Sequence, residues 1–307
     1  MNLKIAIVTD IHHGKDAEAK KGGSALRLMA DFAAFVSQEK PDLVLDLGDR
    51  ISDEDPETDV ILEREVNAAF EPIRAVCPVH HLCGNHDRDF LSVAQNEEIL
   101  GQSLTHQILD AGGWRIVLWR ADTRIQRPDG FQCPKSDIAW LANAIAEADR
   151  PLLVASHVPV SGHSQIGNYY FQRNPGSSTY PQHAELVRDV LRASKVPTLC
   201  LAGHVHWNTV TTIDGIPHLT QQSLTESFVM SPENGAGEAC GAFGLLNLNA
   251  ETIDWQVFGA DAFRAVIPVE QTARRWYRPL AGFDDVPGHI ERIERIATFQ
   301  AQSKAAE

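Results

Sequence analysis

Five apolar runs in this chain each stop at a short polar motif, and that repeated arrangement constrains the fold more than any other feature. The runs are Leu3 to Thr9, Asp42 to Leu47, Pro78 to Cys83, Pro151 to Ala155 and Thr198 to Ala202. The motifs are Asp10-Ile11-His12, Gly48-Asp49, Gly84-Asn85-His86-Asp87, His157 and Gly203-His204-Val205-His206. Short, β-rich apolar runs read as buried strands. Ser24 to Lys40 between the first two has helical spacing (Leu26, Met29, Phe32, Ala33, Val36), with Ser24 as a cap and Pro41 as a stop. Val60 to Val76 reads as a second helix. Strand and helix in alternation predict a parallel sheet with covering helices. In such sheets the C-terminal strand ends line the crevice where ligands bind, so one site can gather all five motifs. Gly48, Gly84 and Gly203 suit the sharp turns this requires.

Further along, Gly113 to Ala121 reads as a strand, and Lys135 to Asp149 and Pro181 to Ser194 as helices. The pattern then turns antiparallel. Thr209 to Ile213 and Pro217 to Gln221 flank Asp214-Gly215, a hairpin signal. Gly241 to Leu248 and Thr252 to Phe258 form a second such pair. The expected fold is α/β, a two-sheet β-sandwich flanked by helices with the site at strand C-terminal ends. Without an internal repeat, residues 1–260 read as one catalytic domain and 261–307 as a C-terminal extension. Residues 260–287 show no clear period, and Gly288 to Ala301 reads as a terminal helix. Trp276 and Tyr277, beside Arg274, Arg275 and Arg278, make the extension a candidate to pack on the domain or at a homo-oligomer interface.

The chain has 307 residues and a net charge of −14, so it has no bulk attraction for nucleic acid or an anionic membrane. Its five cysteines are odd in number and lack a C-x-x-C pair, which argues against a disulfide framework. The N-terminal apolar run ends at Asp10, too soon for a signal peptide, and no stretch is long enough to span a membrane. A cytoplasmic location is expected.

The residue types in the five motifs are those of a metal site. Carboxylate, imidazole and amide oxygen together suit iron, manganese or zinc better than calcium or magnesium. They are too many for one tetrahedral ion, whereas two ions about 3.5–4 Å apart would use them with one carboxylate shared. Taken singly, each residue has an ordinary reading: Asp10 as a cap, Asn85 as a turn former, His157 as a satisfied core histidine. Those readings need five coincidences at five strand ends.

D-x-H, G-D, G-N-H-D, a lone His and G-H-x-H, in this order, resemble the calcineurin-like metallophosphoesterase family. The resemblance spans roughly Leu3 to His206. It implies that Asp10, His12 and His206 hold one ion, that Asp49 bridges, and that Asn85, His157 and His204 hold the other. It implies His86 as the catalytic histidine with Asp87 orienting its ring. The implied reaction is in-line attack on phosphorus by a hydroxide bridging two divalent or mixed-valence ions, with His86 as general acid. Gly48-Asp49-Arg50-Ile51-Ser52-Asp53 lacks the extended signature of the family's protein phosphatases. The compact motifs look more like class III cyclic-nucleotide and glycerophosphodiester phosphodiesterases, which makes a small phosphodiester the expected substrate. A phosphomonoesterase or nucleotide pyrophosphatase on the same centre is the alternative. A non-catalytic scaffold would be expected to have lost ligands. The irregular segment from Val158 to Tyr180 is expected to shape the pocket, with His163 and Arg173 as candidate substrate-binding residues and a tyrosine available for stacking.

Overall fold

The computed structural model describes residues 2–17, 19–168, 170–226, 239–275 and 289–306. The first half runs β1 (Leu3–Val8), α1 (Ala25–Glu39), β2 (Leu43–Asp46), α2 (Pro56–Ala69), α3 (Glu71–Arg74), β3 (Val79–His81), α4 (His86–Asp89), α5 (Val93–Leu100), β4 (Gln107–Ala111) and β5 (Trp114–Leu118). There follow β6 (Ile125–Gln126), β7 (Gly130–Phe131), α6 (Lys135–Ala146), β8 (Leu152–Ala155), α7 (Ala184–Arg192), β9 (Thr198–Ala202), β10 (Thr209–Ile213), β11 (Ile216–Thr220), β12 (Phe243–Leu248), β13 (Thr252–Phe258) and β14 (Phe263–Pro268).

Two six-stranded sheets form, in the orders β14-β13-β12-β1-β2-β3 and β10-β11-β9-β8-β5-β4. Strands β1, β2 and β3 pair in parallel, as do β5, β8, β9 and β11. The flanking hairpins are antiparallel. Side chains alternate across each strand. Ile5 and Ile7 of β1 therefore join Leu45, Ile116, Leu153, Leu199 and Trp255 between the sheets. Ala6 and Val8 face Met29, Phe32 and Val36 of α1. On the far side, Val117, Val154 and Cys200 pack with Ile138, Leu141, Val187 and Leu191 of α6 and α7. The two-sheet sandwich with outer helices is thus the observed fold, and β1, β2, β3, β8 and β9 end together at one edge.

Residues 263–268, which the sequence pattern leaves irregular, form β14 and pair with β13 along its length. The compact unit runs on to Arg274. The second unit contains the helix His289–Ala306, whose described side chains at 291–302 are exposed. Trp276, Tyr277 and Arg278 lie outside the described residues. None of the five cysteines, all among the described residues, forms a disulfide. Among the described residues no helix is long and apolar enough to cross a membrane.

Candidate metal centre

Three of the five motifs leave their strands through left-handed turns. Asp10, His12, Asp49, His204 and His206 all have φ between 47° and 69°, the left-handed region. Non-glycine residues rarely adopt it, at a cost of roughly 1–2 kcal/mol each, so five together mark a site held against strain. Backbone bonds supply the opposing force: Asp10 N donates to Gly48 O (2.9 Å) and His12 N to Asp49 O (3.0 Å). The glycines allow the turns to touch. A Cβ on Gly84 would lie 2.0 Å from Asp49 Oδ1, and one on Gly203 would lie 2.1 Å from Thr9 Oγ1.

Two groups of donors result. His12 Nε2 and His206 Nε2 face each other at 3.0 Å, with Asp10 Oδ1 3.1 Å from His206 Nε2 and 3.9 Å from His12 Nε2. His157 Nε2 lies 3.4 Å from Asn85 Oδ1 and 3.4 Å from Asp49 Oδ2. Asp49 Oδ2 is also 3.8 Å from His12 Nε2, so one carboxylate oxygen serves both groups. His204 completes the second group. The spacing suits ions: ligand atoms about 2.0–2.1 Å from a tetrahedral metal stand about 3.3 Å apart.

The histidine rings are also preset for metal. Ligating imidazoles usually donate their other N–H to a carbonyl or carboxylate. His157 Nδ1 donates to Leu47 O (2.9 Å), His204 Nε2 to Ser177 O (2.7 Å) and His206 Nδ1 to Glu226. That leaves His204 Nδ1 with its lone pair, buried and without a hydrogen-bond partner. The seven residues therefore fit two ions.

Electrostatics in the bare protein agree. Burial opposes charge on Asp49, but His157 and His86 beside it hold the carboxyl well below its usual range. Burial likewise opposes charge on His157 and His206. Asp49 raises the first to about 9, and Asp10 and Glu226 raise the second to about 10. Burial, then the charge of His157, pushes His204 down to about 3.

One implied role is corrected. Asp87 does not orient His86. Its buried carboxylate accepts from the backbone amides of Asp49 (2.9 Å), Arg50 (2.7 Å) and Gly84 (2.7 Å), and so binds the two turns together. The fully buried Arg50 lies behind it, 3.3 Å from Asp87 Oδ2, and also bonds Asp46 and Glu63. The carboxylate that meets His86 Nδ1 is Asp53. Burial works against charge on His86, but Asp49 and Asp53 outweigh it and raise its pKa.

A cavity of about 230 Å³ opens over this centre, its walls including Asp49, Asn85, His86, His204 and His206. Tyr170, Phe171 and Ser177 from the irregular segment after His157 also line it. His163 and Arg173 do not. His163 bonds Ser161 Oγ (2.6 Å) and Gln165 Nε2 (3.0 Å), and Arg173 is exposed. Tyr180 is buried in the core and Tyr169 lies outside the described residues. Lys20, Asp53, Asp89, Arg127 and Glu226 are cavity walls that the motifs do not point to.

These features define a two-sheet α/β protein whose strand ends gather residues that fit two metal ions. The calcineurin-like phosphoesterase family model matches residues 3–208, and the chain belongs to that family. Membership implies two divalent ions and metal-dependent hydrolysis of a phosphate ester. Among solved structures, the chain is similar to a dimetal phosphatase from Danio rerio, with 16% identity, a TM-score of 0.67 and coverage of 87% of this chain and 99% of that one. It also aligns with GAP50, the anchor in the inner membrane complex of Plasmodium (13% identity, TM-score 0.48, 92% and 98% covered). A third alignment is with YfcE, a phosphoesterase from E. coli (12% identity, TM-score 0.44, 87% and 100% covered). The first likeness shows the fold; the other two carry no argument. No curated protein matches the chain.

Proposed function

We propose that the protein is a phosphoric diester hydrolase acting on a small phosphate ester in the cytoplasm, not on a nucleic acid strand. The observation that supports the metal centre most is the presetting of His157, His204 and His206 by Leu47 O, Ser177 O and Glu226. In this reading Asp10, His12 and His206 hold one manganese, iron or zinc ion. Asn85, His157 and His204 hold the other, and Asp49 is shared. Bound there, two such ions supply a nucleophile from water near neutral pH and offset charge on the phosphoryl oxygens.

The protein's own part lies in positioning and proton transfer. Asp87 fixes the Asp49 and Gly84 turns through three backbone amides. Asp53 holds His86 Nδ1, which leaves Nε2 to donate a proton to the leaving oxygen. The raised pKa of His86 keeps that proton available near neutral pH. A phosphomonoester or diphosphate is the second reading, favoured by Lys20 and Arg127 on the cavity wall, which would meet additional negative charge.

The test compares bis(p-nitrophenyl) phosphate with p-nitrophenyl phosphate on manganese-loaded protein, with a chelated control. Faster hydrolysis of the diester, abolished by chelation, is expected. Faster hydrolysis of the monoester would move the substrate to the second reading.

A further inference from the structure

Asn168 lies fully buried in the irregular segment after His157, and both polar atoms of its side chain are bonded. Oδ1 accepts from Tyr170 N and Phe171 N (3.1 Å each). Nδ2 donates to Val205 O (3.0 Å). The first pair is an ordinary cap: Gln172 N donates to Asn168 O (3.0 Å), and an Asp or Ser would serve such a turn as well. The bond to Val205 is not part of a cap. Ionised Asp has no donor to make it, whereas Asn carries an acceptor and a donor on separate atoms. Val205 stands between His204 and His206, whose φ angles of 69° and 54° are left-handed. Asn168 thus joins a wall of the cavity to the strained turn that presents two of the ligands.

From Asn168 the segment returns to His204 by two routes. Phe171, whose amide the cap holds, places its ring 5.1 Å from the His204 ring. Asn174 N donates to Tyr170 O (3.1 Å), Ser177 N donates to Asn174 O (3.0 Å), and Ser177 O accepts from His204 Nε2 (2.7 Å). That last bond keeps the proton on Nε2 and leaves the Nδ1 lone pair for an ion. The circuit closes on itself, from Val205 through Asn168, Phe171 and Ser177 to the residue before Val205. His206 is held otherwise. Glu226 meets its Nδ1 and Asp10 Oδ1 lies 3.1 Å from its Nε2, and neither belongs to this segment.

We propose that Asn168 is a positioning residue for the ion held by Asn85, His157 and His204: by clamping Phe171 and Ser177 to Val205 it fixes the ring and the tautomer of His204. This rests on the two-ion reading of the centre. Groups that orient a ligating imidazole contribute about 10–100-fold to metal affinity. Loss of the clamp releases two such restraints on His204, the packed ring and the carbonyl, and leaves those on His206 in place.

The experiment is a chelator-competition titration of the metal-stripped full chain with zinc, which resolves two dissociation constants. Asn168→Ala should weaken one ion by about 10–100-fold and leave the other within about threefold of the parent. Phe171→Ala should do the same, since it breaks the circuit at a different residue. In the double variant the two losses should not add, because both act through His204. A long-range proton–nitrogen spectrum of the stripped protein follows the His204 ring, whose signal is the one missing from His204→Ala. The parent should show the Nε2–H tautomer alone, and Asn168→Ala a mixture with Nδ1–H. In the zinc titration of Asn168→Ala, the His204 signal should shift with the weakened ion. A role in stability alone would lower the melting temperature but move neither the tautomer nor the ratio of the two constants. The proposal is overturned if Asn168→Ala leaves both constants at the parent values, weakens both ions equally, keeps the parent tautomer, or weakens the ion that does not shift His204. If that variant fails to melt cooperatively, Phe171→Ala and Asn168→Asp, which keeps the cap and loses the donor to Val205, decide by the same criteria. A parent chain that binds fewer than two ions removes the two-ion reading as well.

Discussion

Adding one methyl group at Gly84 should disable the centre without touching a ligand. The backbone there is not left-handed, so Gly84→Ala tests close approach alone. The new Cβ would stand 2.0 Å from Asp49 Oδ1 and 2.5 Å from Asp49 N, whereas ordinary contact begins near 3.4 Å. The shortfall at the oxygen is therefore about 1.4 Å. The neighbouring atom belongs to the one carboxylate that faces both donor groups, so it must move or the two turns must part. A displacement of about 1 Å in a reacting array costs on the order of 100-fold in rate. Overpacking of this kind costs about 1–3 kcal/mol of stability, which leaves a domain of this size folded. Expected, then, are a melting transition that remains cooperative, a fall in kcat of about 100-fold or more, and fewer than two ions per chain. Elemental analysis after gel filtration and a single-substrate rate assay measure both. Two bound ions together with kcat within threefold of the parent would refute the claim that Gly84 exists to admit Asp49.

Three further outcomes follow from the site. His86→Ala should keep both ions but lose about 10²–10⁴-fold in turnover, the usual contribution of a general acid; parent-like turnover would remove His86 from the reaction. His86 acts as an acid only while protonated, so activity falls as pH rises through its pKa. Asp53 helps raise that pKa, and Asp53→Asn should move the alkaline fall of kcat to lower pH; an unmoved profile would contradict the role given to Asp53. In the bare protein His157 at about 9 and His206 at about 10 stand above their ordinary 6.5. The stability they contribute is complete below 6.5 and is lost as pH rises through those values, while metal affinity rises over the same range because ions need neutral rings. Adding zinc or manganese to bare protein in weak buffer at neutral pH should release about two protons per chain, and release of none would contradict the ring assignments.

The residues that meet at the strand ends were legible in the sequence because each stands at the end of an apolar strand with its motif intact. Thr198 to Ala202 was legible to the residue, since it is buried on both faces. β4 and β14 were not: both alternate between half-buried and exposed along sheet edges, with Ile108 and Val266 facing outward, and give no apolar run. α5 was missed although Ser92 and Gln95 form a capping box, a signal that could have found it. Asp87 was assigned to His86 through the family resemblance alone. Successive residues at a helix start point about 100° apart, and Asp87 turns inward to the amides. Asp53 and Glu226 left no local signal, because their partners His86 and His206 lie 33 and 20 residues away and only tertiary packing joins them.

The central claim is that hydrolysis needs two ions held by these seven residues. The most direct measurement is a titration of metal-stripped protein with manganese, following bound metal and bis(p-nitrophenyl) phosphate hydrolysis on the same samples. Activity that rises until two ions are bound per chain, and vanishes on chelation, is the expected result. Full activity in the stripped protein, or none with two ions bound against bis(p-nitrophenyl) phosphate and p-nitrophenyl phosphate alike, would contradict it.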